Sequence, residues 1–287
     1  MLFGGILWGV IGDKKGRVSV LFGSILIYSL ANIFNAFVNS VPMYGILRFF
    51  AGIGLAGELG AAITLVSETL NKEHRGYGTS LVAAIGILGA VFAGIVGDLF
   101  SWRTSYLIGG GMGLLLLMMR LSVFESGMFQ KVHSQKVRKG DLRMLFYPWE
   151  RFVKYVQCIL IGVPIWFAIG IPVTFAPEIA REMGVTGPVT AGKAILFCYL
   201  GASIGNLLCG GLSQLWTSRR KATLLFQIML IVLVTLQLFS TGITPFTFYF
   251  FCLVIGVATG YWVVFMTIAA EQFGTNLRAT VTTTCLS

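Results

Sequence analysis

Apolar and polar residues follow one another along this chain in long blocks, not in the short period of a half-buried strand or a surface helix. Stretches without Asp, Glu, Lys or Arg run from Val18 to Leu47, Gly76 to Gly97, Tyr155 to Pro177 and Ala194 to Ser218. The longest, Ala222 to Ala270, holds 49 residues. A helix crosses a bilayer with about 20 apolar residues, so this run holds two, divided at the turn-forming Thr241-Gly242-Ile243-Thr244-Pro245. The pattern predicts spanning helices at 18–38, 43–70, 77–99, 104–124, 152–176, 191–216, 222–240 and 246–270. A half-length apolar segment, 1–11, opens the chain, and another begins near 279.

Composition turns this pattern into a class. Hydrophobic residues make up 56% of the chain and charged ones 11%, against roughly 25% charged in soluble domains. A soluble fold would have to bury every one of these segments on all sides. Five cysteines (Cys158, Cys198, Cys209, Cys252 and Cys285) show no Cys-x-x-Cys spacing, and four lie within apolar runs, where they read as small packing residues. The two histidines, His74 and His133, fall in polar segments. A metal site or a Ser-His-Asp arrangement therefore has little material, and no cofactor and no enzymatic activity is expected.

The net charge of +10 raises the question of nucleic acid, and its distribution answers it. Alternate loops (12–17, 71–76, 125–154, 217–221 and 271–278), with Arg120 at the adjoining helix end, carry 17 of the 21 Lys and Arg residues. The remainder are Arg103, Arg181 and Lys193 on the other side and Arg48 within a span. Cytoplasmic loops retain Lys and Arg, so the basic side is expected to be cytoplasmic. The charge is then a topology signal with membrane lipid headgroups as partners; no nucleic-acid partner is expected. No basic region precedes Met1-Leu2-Phe3, so a cleaved signal peptide is not expected. The longest basic loop divides the chain into a helix bundle at 1–124, a cytoplasmic linker at 125–150 and a second bundle at 151–287.

The two bundles repeat. Glu68 precedes Arg75 by seven positions across Thr-Leu-Asn-Lys-Glu-His, and Glu271 precedes Arg278 by seven across Gln-Phe-Gly-Thr-Asn-Leu, 203 residues later. Gly9 to Arg17 reads Gly-x-x-x-Asp-x-x-Gly-Arg, and Gly211 to Arg219 reads Gly-x-x-x-Leu-x-x-Ser-Arg, 202 residues on. Duplicated membrane halves are a signature of transporters.

The stretch Gly9-Val-Ile-Gly-Asp13-Lys-Lys-Gly16-Arg17 resembles the signature between the second and third helices of major facilitator superfamily transporters. Arg48-Phe-Phe-Ala-Gly52-Ile-Gly-Leu-Ala-Gly57-Glu58-Leu-Gly60 resembles the fourth helix of that family's metabolite:proton symporter branch. Trp102-Arg103, Arg120, Glu125-Ser126 and Phe129 resemble its sixth helix and exit. The branch includes proline/betaine, 2-oxoglutarate, citrate and shikimate carriers. The resemblance implies an all-α integral membrane fold of two pseudo-symmetric helix bundles. It implies a monomeric, multi-pass protein of the cell (inner) membrane that carries a small osmolyte or organic acid together with a proton by alternating access. Members have twelve helices, so the first helix, part of the second, most of the eleventh and all of the twelfth are expected to be missing. A non-transporting, truncated remnant is the alternative reading. In the second half the signature has Leu215, beside Gln214, in place of its aspartate and Ser218 in place of its glycine.

Two groups of residues are candidates for mechanism. Gly9, Asp13, Gly16, Arg17, Glu68, Arg75, Glu271 and Arg278 fall at the basic helix ends. In the family such groups form ion pairs and helix-end contacts that hold the inner gate closed; alternatively these charges only enforce topology. Arg48 and Glu58 are charges inside a span, about 15 Å apart along the axis and about 80° around it, and intramembrane charge is a functional candidate by default. Glu58 is the candidate to take up a proton or bind substrate, and Arg48, nearer the outside, to attract a carboxylate. Against this, Arg48 can snorkel outward and Glu58 can be bonded to another helix. Trp166, Asn206 and Tyr261, the last at the repeat offset from Glu58, complete the expected cavity. Gly52, Gly54, Gly57 and Gly60 are read as close-packing positions.

Overall fold

The computed structural model describes residues 1–120, 143–274 and 277–285. Every regular element among them is helical: α1 Leu2–Lys15, α2 Arg17–Asn35, α3 Val41–Thr69, α4 Lys72–Leu99, α5 Trp102–Met119, α6 Arg143–Phe146, α7 Trp149–Ala168, α8 Ala176–Glu182, α9 Ala191–Leu215, α10 Arg219–Phe239, α11 Pro245–Ala258, α12 Trp262–Gln272 and α13 Arg278–Thr284. Among the described residues seven stretches are long and apolar enough to cross a membrane: Arg17–Asn35, Val41–Thr69, Gly76–Leu99, Trp149–Val173, Ala191–Leu215, Arg219–Phe239 and Pro245–Gln272. The eighth expected span corresponds to α5, which is 18 residues long. The linker expected at 125–150 lies outside the described residues as far as 142.

The expected boundaries needed correction where polar residues stay helical. α1 continues past the apolar run through Asp13 to Lys15 and stops only at Gly16, and α4 starts at Lys72. Hydropathy marks where the membrane ends, whereas a helix goes on until a residue breaks it. Two expected continuous spans are also broken. A π-helical turn, Ile169–Val173, follows α7 around Pro164 and Pro172. Proline has no N–H and cannot continue the regular ladder; here Ile169 O accepts both the N–H of Thr174 (3.1 Å) and its hydroxyl (2.8 Å). A 3-10 turn, Thr259–Tyr261, separates α11 from α12 within the uninterrupted apolar run.

Contacts group the chain into two units. One comprises Met1–Asn71, Val96–Ile159 and Met266–Ser287; the other comprises Lys72–Ile95 and Leu160–Phe265. Each thus includes a helix from the opposite half of the repeat, α13 in the first and most of α4 in the second. In the first unit α2 packs on α3 and α5, while α13 rests on α1 and α3. Trp8, Val20, Leu21 and Ala61 form its core, and the Trp8 indole donates to Ile53 O at 2.8 Å. A Cβ on Gly57 would sit 2.5 Å from the Trp8 ring, and one on Gly54 would sit 2.7 Å from Tyr28 Cβ; these glycines let α1 and α2 seat against α3. In the second unit α9 packs on α11 and on the 3-10 turn, with Gly256 directly against the carbonyl of Cys198. All five cysteines are buried and free.

Candidate functional site

At the basic end of the first unit, four charged side chains converge from four helices. Gly16 joins α1 to α2 with φ 105° and ψ 157°, a backbone conformation essentially restricted to glycine. The corner turns Arg17 back towards α1, where its guanidinium donates to Gly12 O at 2.7 Å. The same guanidinium lies 2.9 Å from Glu68 Oε1 and 3.4 Å from Asp13 Oδ1, all three side chains being fully buried. Glu68, in the last turn of α3, also receives Arg278 from the first turn of α13 at 3.3 Å. Arg278 is held in turn by its Nε, which donates to Ala270 O at 2.7 Å.

Asp13 faces the start of α13. Its carboxylate accepts the N–H of Ala279 at 3.1 Å, the N–H of Thr280 at 2.9 Å and the Thr280 hydroxyl at 2.6 Å. The first amides of a helix have no partner within it, and a carboxylate from another helix supplies one here with the favourable sign of the helix dipole. α1 can come this close because residue 9 is glycine: a Cβ there would lie 2.6 Å from Thr280 Cα. Among the described residues two carboxylates face two guanidiniums, and this balance limits the desolvation penalty of burying them. Burial pushes the Asp13 carboxyl up to about 6, while Arg17 and the Thr280 and Ala279 donors draw it back, so at neutral pH it is mostly ionised.

Of the expected gate residues, the structure brings Gly9, Asp13, Gly16, Arg17, Glu68 and Arg278 to this place. The side chain of Arg75 lies outside the described atoms. Glu271 is exposed near the end of α12. Thr280, a central partner, was not singled out from sequence; its only signal is the hydroxyl-rich run Thr280, Thr282, Thr283 and Thr284.

A second pair joins the middle of α3 to the end of α5. Glu58 Oε1 is 3.5 Å from the Arg120 guanidinium, with side-chain exposures of 21% and 22% respectively. Glu58 is 17 positions down α3 and Arg120 is 18 positions down from the start of α5, so both sit at about the same depth. Arg120 had been counted with the basic loops; it belongs with Glu58, because a half-buried carboxylate draws in the nearest cation. Arg48 is exposed near the outer end of α3, its guanidinium 6.0 Å from the Tyr44 ring centre.

The other expected cavity residues fall in the second unit and divide. Trp166 is 43% exposed and packs edge-to-face on Trp262 at 5.7 Å. Asn206 is fully buried: its amide donates to Ala202 O at 2.8 Å and accepts the N–H of Val263 at 3.4 Å. The Tyr261 ring is buried and its hydroxyl donates to Ile161 O at 3.1 Å, which Gln227 also reaches at 3.3 Å. Asn206 and Tyr261 therefore support the helix break at 259–261 rather than line open space.

A buried charge cluster at helix ends, repeated apolar spans and an acid–base pair between α3 and the end of α5 mark a multi-pass membrane protein. Residues 1–284 match the family model of the Major Facilitator Superfamily, and the chain belongs to that family, whose members are carriers in the cell (inner) membrane rather than enzymes. A Bacillus subtilis (strain 168) protein named for niacin/nicotinamide transport is 28% identical over 173 residues, 59% of this chain and 42% of that protein. The 3-(3-hydroxy-phenyl)propionate transporter of Escherichia coli (strain K12) is 27% identical over 249 residues, 84% of this chain and 60% of that protein. The chain thus spans 42% and 60% of these two curated relatives. Among solved structures, the E. coli fucose:proton symporter FucP shares the fold, with a TM-score of 0.79 at 14% identity over 99% of this chain and 77% of that one.

Proposed function

We propose that this chain acts in secondary active transport of a small organic acid, as a monomeric proton symporter working by alternating access. The observation that carries the reading is the buried Asp13–Arg17–Glu68–Arg278 cluster. It joins the two sequence halves, taking Asp13, Arg17 and Glu68 from 1–124 and Arg278 from 151–287. Ion pairs and dipole contacts of this kind are strong when dry and are replaced by water when the helices part. That is the property of a gate that must hold in one state and release in the other. The halves 1–124 and 151–287, joined by 125–150, then act as the two bundles that rock against each other.

The Glu58–Arg120 pair supports proton coupling. A proton taken up by Glu58 neutralises the carboxylate and releases the Arg120 guanidinium, which is then free to hold the carboxylate of a substrate. Proton and organic anion would thus occupy the pair together. Relatives named for niacin/nicotinamide and 3-(3-hydroxy-phenyl)propionate favour an aromatic acid over the betaine and proline class. Membrane lipids contact the basic end; no cofactor and no nucleic acid enters the cycle.

The test is Glu58→Gln in proteoliposomes. The amide keeps shape and hydrogen bonding but cannot titrate. Accumulation of 3-(3-hydroxyphenyl)propionate under a proton gradient should be lost, while exchange of internal for external acid continues. Gradient-driven accumulation with unaltered pH dependence would exclude Glu58 as the coupling group.

A further inference from the structure

At the outer end of the first unit lies a cavity of about 620 Å³, lined by residues 38–41 and 44 at the α2–α3 turn and by Trp102, Arg103 and Tyr106 at the start of α5. Its volume is within the roughly 300–1,000 Å³ of small-molecule sites. Arg103 is fixed in place by neutral groups: its guanidinium donates to Val38 O at 3.2 Å and Asn39 Oδ1 at 2.9 Å, and lies 5.0 Å from the Trp102 ring centre. Neither Arg103 nor Arg48, which stands over Tyr44 one turn further along α3, has an acidic partner among the described residues. The aromatic groups are mutually ordered. Trp102 meets Tyr106 edge-to-face at 6.2 Å, and the Tyr44 and Tyr106 hydroxyls are 3.2 Å apart.

We infer that this cavity is an outer capture site for a small aromatic carboxylate, distinct from the Glu58–Arg120 pair. Two guanidiniums without acidic partners attract an anion, and Arg103 is already oriented to offer its remaining donors to a carboxylate. Three aromatic side chains supply edges and faces for a ring. Arg103 lines the cavity, and Arg48 reaches its edge over the Tyr44 ring. The chemistry recognises an anionic head joined to a flat apolar body, which inorganic phosphate lacks. The inference rests on the proposed transport of an aromatic acid, placing a first encounter upstream of it.

The full chain, with its cysteines replaced, would carry Val41→Cys at the cavity rim and be placed in nanodiscs of zwitterionic lipid. Labelling by an impermeant maleimide should be slowed saturably by 3-(3-hydroxyphenyl)propionate and not by its methyl ester or by inorganic phosphate. Arg103→Gln should weaken the half-protecting concentration by about 10-fold, as expected for loss of a charge-assisted pair, and Trp102→Leu should weaken it as well. Equal protection by phosphate, or protection by anionic lipid alone, would identify a headgroup site and overturn the inference. So would unprotected labelling at every concentration. Saturable protection in a chain that shows no gradient-driven uptake would leave the capture site standing and sink the transport reading instead.

Discussion

Glu68→Gln is the sharpest perturbation of the charge cluster, because one carboxylate there serves two cations. Glu68 Oε1 receives Arg17 at 2.9 Å and Arg278 at 3.3 Å, with the Glu68 and Arg17 side chains fully buried and that of Arg278 12% exposed. The amide keeps an acceptor in place but removes from a dry site the carboxylate charge that faces both guanidiniums. Removing one partner of a buried pair costs about 3–5 kcal/mol. Asp13 remains 3.4 Å from Arg17, and the amide oxygen keeps one hydrogen bond, so about 3 kcal/mol is the appropriate end of that range. At 1.36 kcal/mol per factor of ten, opening of this end should become about 100-fold more frequent. Hydrogen exchange reads it directly: the N–H groups of Ala279 and Thr280 are bonded to Asp13 and exchange only when α13 leaves α1. Arg278→Gln, at the more exposed and longer contact, should accelerate the same amides by about fivefold, an effect of about 1 kcal/mol. Exchange in Glu68→Gln no faster than in the native chain, or slower than in Arg278→Gln, would refute the view that Glu68 holds this end closed.

Three further outcomes follow from the same geometry. The Asp13 carboxyl, at about 6 in the closed arrangement and near 3.8 when hydrated, binds protons more readily when closed, with Arg17, Glu68, Arg278 and Thr280 as its neighbours. Closure is therefore favoured by acid: the contribution is full below about 3.8 and is lost as pH rises through about 6. Exchange of the α13 amides, corrected for intrinsic rate, should show this, and Asp13→Asn should flatten it; closure that strengthens with rising pH would contradict the assignment. Gly16→Ala should lower thermal stability in detergent by about 1–3 kcal/mol, because φ 105° with ψ 157° suits glycine alone; an unchanged melting midpoint would show that the corner relaxes freely. Cysteines at Ser218 and Thr186 in a cysteine-free background should be labelled from opposite faces. An impermeant reagent should reach only position 186 in intact cells, and the reverse pattern would invert the topology.

Span positions were legible because apolar length is a direct requirement of the bilayer; the ends moved, and two spans are broken within. Asp13, Lys14 and Lys15 look like loop residues by polarity yet continue α1, since the chain leaves helical φ only at Gly16. The break at 259–261 was hidden for the opposite reason: Thr259, Gly260 and Tyr261 sit in a run without a single charge. The candidate cavity shows what a repeat offset can and cannot give. It carries a position along the helix axis but not the face it occupies, so Tyr261, chosen as the counterpart of Glu58, turned out to be a buried support. Arg120 was visible as a lone charge ending an apolar stretch, yet its partner on another helix required the depth of both to be known.

The repeat places an acid and an arginine seven positions apart in each copy, Glu68 with Arg75 and Glu271 with Arg278. The structure joins Glu68 of the first copy to Arg278 of the second, because α13 packs on α1 and α3 within the first unit. The glycine contacts show the same exchange twice. Gly9 in the first unit abuts Thr283, and Gly210 in the second abuts Ser80; Ser80 and Thr283 are 203 residues apart, the period of the repeat. Each half therefore lends one helix to a contact with the other half. The contact made by α13 bears charge through Asp13 and Glu68; at the corresponding place in the second copy Leu215 stands where the aspartate would be, and Gln214 lies against Gly76. The carboxylate grip of Asp13 on the first amides of α13 therefore has no equivalent at Leu215. Restoring the acid by Leu215→Asp should then tighten the second contact at the expense of turnover rate, and would separate the two copies of this contact experimentally.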